Sequence, residues 1–209
     1  MAEAQSRNRP TPRRRATKPA TQPAAPQPAP EPETGPATLG RVARELARLP
    51  RNERTPEKLA LQAGLEFMLA VSAADGDRAV RWLDATGYQP LPIEGPLPDP
   101  PGKPVLAPEI AAQIKSRPAA PIAGLPPEAV AALRRADVAA RFASVGQWML
   151  PGDFGVVFES VHDPREPPWL PRDALVVVRV RGVRATVMGG NLLETLSAGV
   201  GPAKQPDEP

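Results

Sequence analysis

The sequence predicts an α+β protein, with a helical N-terminal part packed on a small C-terminal antiparallel sheet and a disordered arm ahead of both. Three observations carry that expectation. Between Ala174 and Val187 apolar side chains alternate in two runs separated by Arg181-Gly182, the period of paired strands. From Thr38 to Phe142 the apolar spacing is instead mostly helical. The 31 prolines crowd into two places, nine before Ala37 and seven from Pro90 to Pro104, and neither segment can supply core.

Residues 1–37 hold almost no large apolar side chains, so they cannot bury enough surface to offset the entropy of ordering them. A disordered arm is expected, cationic at its start and extended from about Pro19 to Pro36. Arg13, Arg14, Arg15 and Lys18 are its candidate polyanion contacts, weak and sequence-independent; a solubilising tail is the plainer reading. The arm carries six basic and three acidic residues, and the remaining chain twenty of each, so a general pull on polyanions falls to the arm or to local patches.

A single domain is expected over residues 38–197. Its first helix follows Thr38, with Leu39, Val42, Leu46 and Leu49 on one face and Pro50 as the stop. Arg41, Arg44, Arg48 and Arg51 fall on the other face: either a basic recognition surface or, more plainly, the solvated side of a helix packed through its leucines. Thr55-Pro56-Glu57 starts a second helix, a capping hydroxyl followed by proline at the first helical position. Leu59, Leu61, Leu65, Phe67, Met68, Leu69 and Val71 cover most of its circumference, which predicts burial on more than one side. Gly76-Asp77 ends it and caps a short helix from Arg78 to Ala85, with Val80, Trp82 and Leu83 inward and Gly87 as the stop.

The stretch FMLAVSAADGDRAVRWLDATGY, residues 67–88, resembles the helical start of NTF2-like domains, the cone-shaped α+β family that includes ketosteroid isomerases and SnoaL-like cyclases. There a helix, a Gly-Asp turn and a second helix precede a curved sheet. The resemblance covers about twenty residues. Residues 88–104 then depart from that pattern, because their prolines suit a long extended crossing and not paired strands. With three or four strands expected afterwards, no family is assigned and no catalytic residue is carried over.

Further helices are expected at Pro108–Arg117 and Pro126–Phe142, then a strand at Gln147–Leu150, a turn at Pro151-Gly152-Asp153 and a strand from Phe154 to Val161. His162–Arg172 reads as a loop. The closing hairpin follows, with a two-residue turn at Arg181-Gly182 setting Val180 opposite Val183, Val178 opposite Ala185 and Val176 opposite Val187. That register also sets Arg179 against Arg184, a like-charge pair that repels unless an anion or nearby carboxylates answer it. Gly189-Gly190-Asn191 turns the chain, Leu192–Leu196 forms one helical turn, and residues 198–209 are an expected disordered tail.

For chemistry, the absence of cysteine excludes disulfides and thiolate sites, and a single histidine excludes a multi-histidine metal centre. Asp153, Glu159, His162, Asp163 and Glu166 beside Trp169 form the best local cluster, yet they read as an ordinary surface loop and no catalytic residue is assigned. Gly189-Gly190-Asn191 lacks a phosphate-loop pattern and is taken as a turn. Candidate ligand or anion contacts are Arg179, Arg184, His162, Trp82, Trp148 and Trp169; neither metal nor cofactor is implied. No apolar run reaches the ~20 residues of a membrane span, and the N-terminus lacks a signal-peptide core. A soluble, cytoplasmic chain with the composition of a GC-rich bacterial genome is expected. Its function reads as a non-enzymatic binding or adaptor module for a protein partner. The alternatives are nucleic-acid tethering through the arm and a small-molecule or enzymatic pocket domain.

Overall fold

Thr55 begins the helix around which the other elements pack. Its hydroxyl oxygen accepts the backbone N–H of Lys58 at 3.4 Å, Pro56 takes the first helical position, and α2 runs Pro56–Ser72. The computed structural model describes residues 36–92, 97, 102–119, 127–159 and 173–193, all within the unit Glu33–Pro209. Leu59, Ala60, Ala63, Leu65, Phe67, Met68, Ala70 and Val71 are buried on α2, as expected of a helix covered on two sides. One side meets α1, Pro36–Arg48, and the other meets the sheet. Helix α1 offers Leu39 and Ala43 to the same core, and Arg54 closes its C-terminus by donating to the carbonyls of Ala47 and Leu49, both at 2.8 Å.

Helix α3, Gly76–Val80, is shorter than expected and is capped by Asp75, whose carboxylate accepts the backbone N–H of Arg78. The chain leaves the helix early because it has a sheet edge to satisfy. Val187 donates its N–H to the Trp82 carbonyl at 2.7 Å and accepts the N–H of Asp84 at 3.0 Å. The expectation of no paired strand over residues 88–104 is corrected at its start: β1, Gln89–Pro90, pairs in parallel with Gly189 and Gly190, proline being tolerated on an outermost strand. Helix α4, Ala107–Lys115, follows, with Ile110 and Ile114 fully buried.

The helix expected over Pro126–Phe142 is corrected. A 3-10 turn at Pro127–Ala129 leads into β2, Val130–Arg134, and only Arg135–Arg141 is helical, as α5. Ala-rich propensity loses here because β2 pairs along its whole length with β3, Asp153–Glu159, so tertiary pairing overrides a local preference. The strand expected at Gln147–Leu150 is corrected too. Ala143–Trp148 forms α6, packed so tightly on α5 that a β-carbon at Gly146 would stand 2.4 Å from Ala139.

The sheet is completed by β4, Asp173–Arg181, and β5, Arg184–Gly190, in the order β1-β5-β4-β3-β2. It is antiparallel except at β1, and among the described residues it has five strands where three or four were expected. Both faces are covered. Val156, Phe158, Ala174, Val176 and Val178 join the core beneath α1 to α4, while Val157, Leu175 and Val177 join a second core with Val138, Val145 and Met149 of the α5 and α6 region. The expected helical layer is the first of these. The second explains why β4 is a continuous apolar run and not a strict alternation. The hairpin turn lies at Gly182-Val183, with Arg181 opposite Arg184, Val180 opposite Ala185 and Val178 opposite Val187. This register is two residues from the expected one, so Val178, Val180, Ala185 and Val187 keep their face, while Val183 moves to the tip and is 74% exposed.

Candidate functional site

Register decides what Arg179 meets. It stands opposite Asp153 on β3 and Thr186 on β5, so the repulsion expected between Arg179 and Arg184 does not arise. Arg179 Nε donates to Asp153 Oδ1 at 2.8 Å and its Nη2 donates to Oδ2 at 2.9 Å, a two-pronged pair in which Asp153 is only 2% exposed. The Leu150 backbone N–H donates to the same carboxylate at 2.8 Å. The Asp153 hydrogen bond raises the guanidinium pKa of Arg179 above its ordinary value, against desolvation; the charges of Asp153 and Asp84 add to it. The like-charge juxtaposition falls instead on Arg181 and Arg184, both exposed beside the hairpin turn where water screens them.

Beyond Thr186 the polar row continues to Asp84, 3.4 Å from the threonine hydroxyl that donates to it. The backbone N–H of Thr86 holds the Asp84 carboxyl below its ordinary range, helped by the hydroxyls of Thr86 and Thr186 and the charge of Arg179. Asp84 borders an open groove of about 510 Å³ between the chain at 81–85 and the start of β5. Half-buried Trp82 and Thr186 line it, and Arg81, Val183 and Arg184 stand exposed along it. A second open groove, of about 530 Å³, lies where the start of α2 approaches the β2–α5 junction; Glu57 accepts a hydrogen bond from Arg134 beside it.

No family model matches the chain, and neither a curated protein nor a solved structure is significantly similar to it.

Of the residues singled out from sequence, Trp82 and Arg184 share the first groove, and Arg179 lies one strand away. Trp148 does not join them. It packs on the core beneath α5 and α6, whereas Trp82 packs on the opposite one, so these two tryptophans do not line one pocket. His162, Trp169, Asp163, Glu166, Arg13, Arg14, Arg15 and Lys18 lie outside the described residues. The acidic cluster is taken apart at its described end. Asp153 and Glu159 sit at opposite ends of β3, about 20 Å apart at the rise of a strand, and Glu159 pairs with Arg141 at 2.8 Å. That hydrogen bond raises the pKa of Arg141, and the Asp173 carboxylate adds to it from 3.1 Å.

Gly189-Gly190-Asn191 is not a turn, because the two glycines continue β5. A β-carbon at Gly189 would stand 2.2 Å from the Gln89 carbonyl oxygen, and one at Gly190 2.1 Å from that of Leu175, so both are small to admit neighbouring strands. Asn191 exchanges hydrogen bonds with the Leu175 backbone, accepting at 2.6 Å and donating at 3.0 Å. Among the described residues no group of three or more His, Asp and Glu is placed to hold a metal ion, and no helix is long and apolar enough to cross a membrane. Sequence reasoning missed Arg81, Asp84 and Thr186. Nothing local signals them, since Thr186 and Asp84 are 102 positions apart.

Proposed function

We propose that this chain is a cytoplasmic, non-enzymatic binding module that takes an extended acidic segment of a protein partner in the groove between Trp82 and Arg184. The observation that carries this reading is the pairing of a half-buried indole with two exposed guanidiniums, Arg81 and Arg184, along an open channel. Tryptophan and arginine dominate the energetics of protein interfaces, and two cations against the single carboxylate of Asp84 favour an acidic occupant. An open trough suits an extended chain better than a small molecule, which needs most of its surface enclosed. Asp153, the buried carboxylate nearest the groove's polar row, already serves Arg179 and the Leu150 amide, which favours a structural over a catalytic role.

Panning a displayed random-peptide library against the full chain, with Trp82→Ala/Arg184→Glu as the counter-selection, tests this. Acidic sequences that bind the wild type and lose ten-fold or more on the variant are expected. Enrichment indifferent to Trp82 and Arg184 removes the groove reading, and turnover of a small substrate that His162→Ala abolishes removes the non-enzymatic one.

A further inference from the structure

Helix α1 turns its apolar residues inward, so its outer face is free to carry charge. Leu39 and Ala43 are buried, with Val42 and Leu46 packed beside them, and the diametrically opposite positions are Arg41, Arg44 and Arg48. All three are exposed, as is Arg51 just beyond the helix end. Glu45 answers Arg41 at 3.9 Å, Arg44 donates to the Gly40 carbonyl at 3.2 Å, and neither Arg48 nor Arg51 forms an ion pair with a described residue. Among the described residues close in sequence, Glu53 is a further exposed acid. At a rise of about 1.5 Å per residue, Arg41 to Arg48 spans about 10 Å in a line.

Charge along the chain is partitioned at the same place. Eleven basic and five acidic residues precede Thr55, a net +6, and the remainder carries fifteen basic and eighteen acidic residues, a net −3. We infer that the outer face of α1, Arg41, Arg44, Arg48 and Arg51, binds the phosphate backbone of a nucleic acid. A line of guanidiniums fits a line of phosphates, of which a duplex offers one per about 1.7 Å of axis. The face carries no aromatic or large aliphatic side chain of the kind that anchors a protein interface or stacks on bases, so the contact is to the backbone and indifferent to sequence. An anionic membrane is the poorer match, because the apolar face that would enter the lipid is already spent on the core.

The test measures anisotropy of the full chain with a labelled DNA duplex, a single-stranded RNA of the same length, and vesicles of phosphatidylserine and phosphatidylcholine, from about 50 to about 200 mM salt. The duplex should bind, and Arg41→Gln/Arg44→Gln/Arg48→Gln/Arg51→Gln should flatten the slope of log affinity against log salt by about 3.6. A companion chain with all six arm cations, Arg7, Arg9, Arg13, Arg14, Arg15 and Lys18, changed to glutamine should keep a slope of about −3.6, which keeps the test decisive even if the helix variant fails to fold. Trp82→Ala/Arg184→Glu should leave both slopes unchanged, separating this surface from the groove. The inference is overturned by an unaltered slope in the folded helix variant, by loss of all binding in the arm variant, by no nucleic-acid binding at the lowest salt, or by preference for the vesicles.

Discussion

Gly64 of α2 lies against Val156 of β3 so closely that a β-carbon at Gly64 would stand 2.8 Å from Cβ, Cγ1 and Cγ2 of the valine. The helix that organises the fold therefore rests on the sheet through a missing side chain. Gly64→Ala gains about 1 kcal/mol of helix propensity, but the overlap costs about 1–3 kcal/mol in a core that cannot spread. Net destabilisation is expected, read as a lower denaturant midpoint. Val156→Ala in the same chain should restore part of the loss, where independent sites would add their costs; a midpoint for Gly64→Ala at or above wild type would show the contact is loose.

The Asp153 and Arg179 pair predicts strong coupling. Arg179→Met strands a buried carboxylate and is expected to cost about 3 kcal/mol or more. Replacing both residues, Asp153→Leu with Arg179→Met, should cost clearly less than the two single changes together. A double-mutant cycle by urea unfolding measures this, and additive costs would mean that the pair contributes no coupling.

Hairpin register separates two valines five positions apart. Val178 is fully buried, so Val178→Asp places a carboxylate in the core at a cost of several kcal/mol, enough to unfold a small domain. Val183 is 74% exposed at the tip, so Val183→Asp should stay within about 0.5 kcal/mol of wild type. Thermal melts compare the two, and the turn at Arg181-Gly182 expected from sequence, with Val183 opposite Val180, would instead make Val183→Asp costly.

Acid sensitivity should trace in part to Asp84. Its folded pKa lies below the ordinary 3.8, so it favours the folded state above that pH and loses this contribution as pH falls through the folded value. Asp84→Asn should flatten the decline in stability between about pH 5 and about pH 2, while sacrificing stability near neutrality. Denaturant midpoints across that range check the sign; a steeper acid decline in the variant would contradict it.

The legible parts of the fold were those that depend on near neighbours. Thr55-Pro56-Glu57 predicts the start of α2 because a cap acts within three residues, and the valine-rich runs on either side of Arg181-Gly182 predict two paired strands because strand and turn signals are local. Val130–Arg134 was illegible for the complementary reason: an alanine-rich pentapeptide becomes a strand only when β3 offers hydrogen bonds along its length. Trp82 and Arg184 were singled out as large or charged residues and do share a groove, while Arg81, Asp84 and Thr186 join them through folding alone.

By itself, the sequence determined the α+β class, the buried central helix, the inward face of the hairpin and the charge carried by α1, all consequences of periodicity, capping and composition. Only the tertiary structure decided that the sheet is covered on both faces, that one of its edge strands is the parallel β1, that Arg179 answers Asp153 and not Arg184, and that the two described tryptophans belong to opposite cores. The physical reason is that a strand's partners and register are chosen by burial and hydrogen bonding summed over the whole sheet. A two-residue slip keeps Val178, Val180, Ala185 and Val187 on their face, sends Val183 to the tip and gives Arg179 a different neighbour.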